Sequence, residues 1–267
     1  MSDRTPPAEE AHDEPSRDAL RLLYLPWAWG VFVPWLAVST VSFGATAVGL
    51  CKVSPRLAFH MGTLWSWLLC RANFTRVSVR GRENAVPGQA YVVMSNHQSH
   101  FDVLALYGHW GRQFRWVMKE ELRRVPGIGW YTAAGGHVFI DRSDRQKAIE
   151  SLRAAGPRLA AEGISVVFFP EGSRSQDGRL KPFKKGGFRM AEDLDLPILP
   201  VSISGSRHVL PGKTLRLLPG HIRITFHEPI APGDYGPERR DELMAAVRQR
   251  IVSGLTPYER GESDRDD

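Results

Sequence analysis

Ala90-Tyr91-Val92-Val93-Met94-Ser95-Asn96-His97-Gln98-Ser99-His100-Phe101-Asp102 is the stretch that decides the fold. Its first five residues, AYVVM, form a short aromatic and β-branched run suited to a buried strand. Polar residues then place a loop at the strand end, and Asp102 is suited to opening the next helix. Further strand-like runs lie at residues 115–118, 137–141, 164–170, 196–204 and 221–226. A helix is expected from a cap at Ser143 or Asp144 to about residue 162, and another over residues 238–255. Strands alternating with helices predict an α/β domain with a central, mostly parallel or mixed sheet flanked by helices. Side chains at the strand ends of such a sheet stand where α/β folds place their sites.

Upstream of this domain the composition changes abruptly. Residues 22–50 contain no charged side chain and are bracketed by Arg21 and Lys52. A second apolar run, residues 57–70, carries Trp65 and Trp67, whose rings favour the membrane interface. Residues 51–56 connect the two runs and include Pro55, read as a helix stop. A spanning helix needs about 20 apolar residues. Pro26 and Pro34 are expected to interrupt the first run, and the second is shorter than a span. A membrane-associated helical hairpin lying in one leaflet is therefore expected, against the bland reading of a soluble core. The apolar run starts too late and is too long for a cleavable signal. If it crossed the bilayer, Lys52, Arg56, Arg71 and Arg76 would hold the remainder of the chain in the cytoplasm. The expected location is the cytoplasmic face of the inner or plasma membrane. The chain thus divides into a disordered polar N-terminus (1–21), a membrane-associated two-helix segment (22–71), the α/β domain (72–256) and a polar, frayed tail (257–267).

A chain of 267 residues can bury a full core without disulfides or metals. Its two cysteines, Cys51 and Cys70, lie in apolar stretches and lack metal-ligand spacing. Net charge is +6, yet residues 112–189 hold 16 Lys/Arg against 8 Asp/Glu, a local excess of +8. That excess suits an anionic membrane or a phosphorylated substrate, or it is a solvated face. No nucleic-acid-binding frame accompanies it, and no nucleic-acid partner is expected.

Three constellations carry chemistry. As a histidine, His97 can take a proton from a hydroxyl and return it to a leaving group. Asp102, five residues on, can reach back from the next helix and fix the imidazole tautomer. Alone, the pair reads more readily as a helix cap and a turn. The second is Phe169-Pro170-Glu171-Gly172-Ser173-Arg174 after an apolar strand. There Gly172 permits a tight turn, Arg174 offers a planar fork for phosphate, and Ser173 offers another hydrogen bond. The third places Lys119 at a strand end, followed by Leu122, Pro126 and Gly129 and then by Phe139-Ile140-Asp141-Arg142. Lys184 and Lys185 either add to the same positive site or solvate a helix start.

In this order and spacing, the elements resemble the lysophospholipid acyltransferase family, typified by 1-acylglycerol-3-phosphate acyltransferase. The resemblance runs over about residues 74–226. NHxxxxD stands as Asn96 to Asp102, FPEG(T/S)R as Phe169 to Arg174, and Leu199-Pro200-Val201 is a weaker fourth element. It implies a histidine base, His97, acting on a lysophospholipid hydroxyl, with Asp102 orienting it. Arg174 then binds the acceptor phosphate, with Asn96, Lys119, Glu171, Gly172 and Ser173 as further substrate-binding residues. Ser173 keeps the hydroxyl where threonine is common. The implied donor is acyl-CoA or acyl carrier protein, and the modal product is phosphatidic acid, in phospholipid biosynthesis. No cofactor or metal is implied. The family's N-terminal two-helix motif agrees with the hairpin. The alternatives are another lysolipid acceptor, or a metallohydrolase using His97, His100 and Asp102, completed by His137, His208, His221 or His227.

Overall fold

Strands β1 (Arg76–Arg80), β2 (Val92–Ser95), β3 (Phe114–Lys119), β4 (Val138–Ile140), β5 (Ser165–Phe168), β6 (Ile198–Ser204) and β7 (His221–Phe226) form one sheet. Their order is β1-β7-β6-β2-β5-β3-β4, in a computed structural model that describes residues 14–141, 145–212 and 214–263. Every neighbouring pair is parallel except β6 with β7. The mixed sheet flanked by helices is the architecture the sequence predicts. β1 is the strand that the sequence reading passes over. Its RVSVR pattern is half polar and lies at the sheet edge, where charged ends discourage pairing with another chain.

Period-two alternation splits the core into two layers. Val93, Leu199, Val201, Ile222, Ile224 and Phe226 face one side. There they meet α3 (Pro55–Ala72) and α4 (Phe101–His109), which follow α1 (Glu14–Trp27) and α2 (Val33–Cys51) in the chain. Val92, Met94, Val166, Phe168 and Ile198 face the other side. Behind them lie α6 (Arg145–Ala161), α7 (Gly186–Asp193) and α9 (Arg240–Ser253). α5 (Ile128–Ala134), α8 (Ser206–Val209) and α10 (Pro257–Arg260) complete the helices. Fully buried side chains such as Leu69, Phe188 and Phe226 each contribute roughly 1.5–3 kcal/mol through burial.

Several expectations need correction. Pro26 and Pro34 do not interrupt the first apolar run. Between them, Ala28–Phe32 form a π-helical turn that shifts the backbone hydrogen-bond register, and the helix continues past both prolines to Cys51. Pro55 does not stop a helix but opens one: it is at the first turn of α3, and Ser54 Oγ caps that turn by accepting from Leu57 N–H at 3.3 Å. α1 begins at Glu14, inside the segment expected to lack structure. The tail is not frayed from residue 257, because Thr256 and Glu259 form a capping box around α10 and Glu259 is buried. The expected caps Ser143 and Asp144, and Arg142 of the third constellation, lie outside the described residues.

The topology positions the site. From β2 the chain passes through α4 and crosses β5 to reach β3. From β5 it passes through α7 and crosses β2 to reach β6. Neighbouring strands whose connections leave for opposite faces of the sheet in this way leave a crevice at their carboxyl ends.

Candidate active site

Met94 pairs with Phe168 where β2 lies beside β5. His97 and Glu171 each stand three residues beyond that pair, so the two motif loops meet at the crevice. The His97 N–H donates to Glu171 Oε1 at 2.6 Å, and the Ser175 N–H donates to the His97 carbonyl at 2.7 Å. Glu171 Oε2 accepts the Lys181 N–H at 3.0 Å. Burial lifts the Glu171 carboxyl from 4.5 to about 7, against the pull of those two N–H donors.

His97 Nδ1 lies 2.7 Å from Asp102 Oδ2. Asp102 is fully buried on the first turn of α4, where the helix dipole favours a carboxylate. The same Oδ2 accepts the N–H groups of Gln98 (2.7 Å) and Ser99 (2.8 Å). A carboxylate accepts only, so the pairing assigns the proton to Nδ1 and leaves Nε2 as the basic nitrogen. The imidazole stacks on Phe169, with centroids 3.9 Å apart and planes at 11°, and Phe169 stacks on Trp116. Ring plane and tautomer are both fixed, while the His97 side chain keeps 15% exposure. Such a nitrogen can take a proton from a hydroxyl placed against it.

Asn96, expected to bind substrate, is committed elsewhere. Its amide donates to the Ile203 carbonyl (2.7 Å) and accepts the Ile203 N–H (2.8 Å), tying the loop to β6. We assign it to positioning, since both ends of its buried side chain are engaged.

The other expected residues form a basic rim. Gly172 has φ +74°, in the left-handed region, and a Cβ there would press on the Lys184 side chain at 2.9 Å. Ser173 Oγ accepts from Lys181 Nζ at 2.6 Å. Lys181 is a residue that the sequence reading missed; it stands in the KPFKKGGF stretch but ahead of the pair singled out there. Arg174 is half-buried and makes no hydrogen bond or ion pair among the described residues, which leaves its fork open to an anion. Lys119 ends β3 on the same carboxyl edge of the sheet, half-exposed and 3.7 Å from Glu121. Lys185 turns away to pair with Asp241 at 2.7 Å.

The metal-site alternative loses its basis. His97 Nδ1 is taken by Asp102, His137 Nδ1 accepts the Trp116 N–H, His227 Nε2 meets Ser202 Oγ, and His221 Nε2 meets Ser78 Oγ. Among the described residues no group of three or more His, Cys, Asp or Glu side chains forms a metal-ligand cluster. His137 is a core residue: burial, then the Arg115 charge, depress it to about 3 and keep it neutral.

Comparison with known proteins points to one family. The Acyltransferase family model matches residues 76–204. The chain is 34% identical over 239 residues to a 1-acyl-sn-glycerol-3-phosphate acyltransferase of Chlamydomonas reinhardtii, covering 88% of this chain and 69% of that one. It is 34% identical over 204 residues to the chloroplastic 1-acyl-sn-glycerol-3-phosphate acyltransferase BAT2 of Brassica napus, covering 75% of this chain and 57% of that one. The crystal structure of the 1-acyl-sn-glycerophosphate (LPA) acyltransferase PlsC from Thermotoga maritima superimposes with a TM-score of 0.77 at 26% identity. That match covers 94% of this chain and 100% of the other.

Proposed function

Because this chain belongs to the lysophospholipid acyltransferase family, we propose that it acylates 1-acyl-sn-glycerol 3-phosphate to phosphatidic acid, using a thioester donor. One observation carries the reading: Asp102 holds His97 Nδ1 at 2.7 Å, which leaves Nε2 free beside the turn that bears Arg174. Nε2 takes the proton of the acceptor hydroxyl as its oxygen attacks the thioester carbonyl. Asp102 stabilises the imidazolium that results. Collapse of the tetrahedral intermediate breaks the C–S bond, and the imidazolium protonates the departing thiolate. Arg174 grips the acceptor phosphate, with Lys181 and Lys119 adding positive potential. Glu171 and Gly172 shape the loop, and Ser173 adds a hydroxyl to the rim. Acyl-CoA and acyl-acyl carrier protein both suit this basic surface.

The hairpin supports a lipid acceptor. Residues Ala19–Cys51 form a helix apolar enough to cross a membrane, with only 22% of its most apolar window buried. Leu22, Leu23, Trp29, Val38 and Leu64 are exposed. Yet this helix touches the domain near both ends: Tyr24 donates to Asn73, and Gly44 lies against Gly127. A helix docked along its length on the domain suits insertion into one leaflet, on the face where the domain resides, better than a span.

The test is acyl transfer by purified protein in detergent, across several lysolipid acceptors with both donors. The expected result is transfer to lysophosphatidic acid that His97→Ala abolishes. Undiminished turnover by His97→Ala would overturn the mechanism, and preference for an uncharged acceptor would remove the phosphate role of Arg174.

A further inference from the structure

Glu259 lies in the C-terminal turn α10, far along the chain from either motif, yet it is only 3% exposed. A buried carboxylate is costly unless donors surround it. Three do: Gln98 Nε2 and the Gly205 N–H each reach Oε1 at 3.0 Å, and the Thr256 N–H reaches Oε2 at 2.9 Å. The Glu259 carbonyl also accepts the Leu180 N–H at 2.9 Å. One residue therefore joins the loop after β2, the end of β6 and the segment beyond the glycine turn. Beside it, Tyr258 donates to the Asp177 carbonyl at 2.9 Å and its ring faces Arg179 and Arg207.

Helix capping explains only the bond from Thr256. A capping glutamate at the last turn of a chain needs neither burial nor a partner at residue 98. Gln98 is the neighbour of His97, and its main-chain N–H donates to Asp102 Oδ2 at 2.7 Å. Its side chain is held by Glu259 while its backbone holds Asp102. We propose that Glu259 is a positioning residue for acyl transfer: by anchoring Gln98, it fixes one of the two N–H groups that aim Asp102 at His97. Its side chain has no link to Arg174 or Lys181, so its loss acts on proton transfer and not on phosphate binding. The inference rests on His97 and Asp102 being the catalytic pair.

A double-mutant cycle tests it, with kcat, acceptor KM and melting temperature measured for transfer to lysophosphatidic acid. Glu259→Ala and Gln98→Ala should each lower kcat about ten-fold while acceptor KM stays within about two-fold. The double variant should fall no further than the weaker single, because both remove one tether. Thr256→Val, which breaks the cap but spares Gln98, should lower the melting temperature and keep kcat within about two-fold. Glu259→Gln keeps an acceptor for Gln98 and should recover most of kcat, which guards against a Glu259→Ala chain that fails to fold. Multiplicative losses in the cycle, an equal loss in Thr256→Val, or a Glu259→Gln as slow as Glu259→Ala would each overturn the proposal. Turnover surviving in His97→Ala would instead defeat the catalytic reading, so the two failures are distinguishable.

Discussion

The loops that leave the adjacent ends of β2 and β5 obey opposite rules. In the first, nearly every polar group is committed: Asn96 to Ile203, Asp102 to three donors, Ser99 Oγ to the Leu210 carbonyl, Gln98 to Glu259. In the second, the cations stay exposed or half-exposed, and the Arg174 guanidinium is uncommitted among the described residues. Proton transfer tolerates little misplacement, and the loop proposed to perform it is closed by hydrogen bonds to the core. The anion capture proposed for the second loop needs charge and reach, and there Arg174 keeps its long side chain unengaged among the described residues. Glu171 is the exception that joins them, a buried carboxylate from the second loop that supports the backbone of the first.

The contrast breaks most sharply at Asp102. Asp102→Asn puts an amide where a carboxylate selects the His97 tautomer, and kcat should fall about 10³–10⁴-fold with the fold retained by circular dichroism. Asn96→Ala leaves the Ile203 N–H and C=O without partners in the core. Denaturant unfolding should show a loss of about 2–4 kcal/mol. Arg174→Ala belongs to the open loop. Steady-state kinetics should show acceptor KM up about 10–100-fold with kcat nearly unchanged, and Arg174→Lys in between. A kcat loss in Arg174→Ala equal to that in Asp102→Asn would erase the distinction between the loops.

The smallest effect is expected at Glu171. Its carboxyl is raised from 4.5 to about 7, so between those values the folded chain binds a proton that the unfolded chain has released. The stabilisation from this group is present in full below pH 4.5 and is lost as pH rises to about 7. Glu171→Gln cannot titrate, so its melting temperature should vary less with pH across that window, by the equivalent of about 1–3 kcal/mol. An unchanged slope would mean that Glu171 is ionised throughout.

Which parts of this site are legible in the sequence depends on the range of the contacts. His97 and Asp102 are five residues apart, and a strand followed by a helix start is enough to bring them together. Glu171 is 74 residues from His97. Its motif is visible, but its bond to the His97 backbone follows from β2 and β5 being paired neighbours, which no local pattern states. Asn96 reads as a motif residue facing substrate because sequence cannot show that Ile203 of β6 lies behind it. Glu259 sits in an acidic, polar tail whose composition resembles a frayed end. Only the tertiary structure shows Gln98 and Gly205 waiting for it. The prolines mislead for a different reason: the rule that proline ends a helix assumes a fixed hydrogen-bond register, and a π turn relaxes that assumption.

α4, whose first turn carries Asp102, has no gap between itself and the hairpin. A Cβ on Gly62 would strike the Tyr107 ring at 2.6 Å, and one on Gly108 would lie 2.8 Å from the Trp67 backbone nitrogen. The element proposed to sit among lipids and the element bearing the acid are therefore packed in direct contact. With the hairpin in one leaflet as proposed, this packing sets the height of Asp102 above the bilayer midplane. Under that proposal, a lysolipid acceptor reaches His97 by raising its hydroxyl to the level the packing sets.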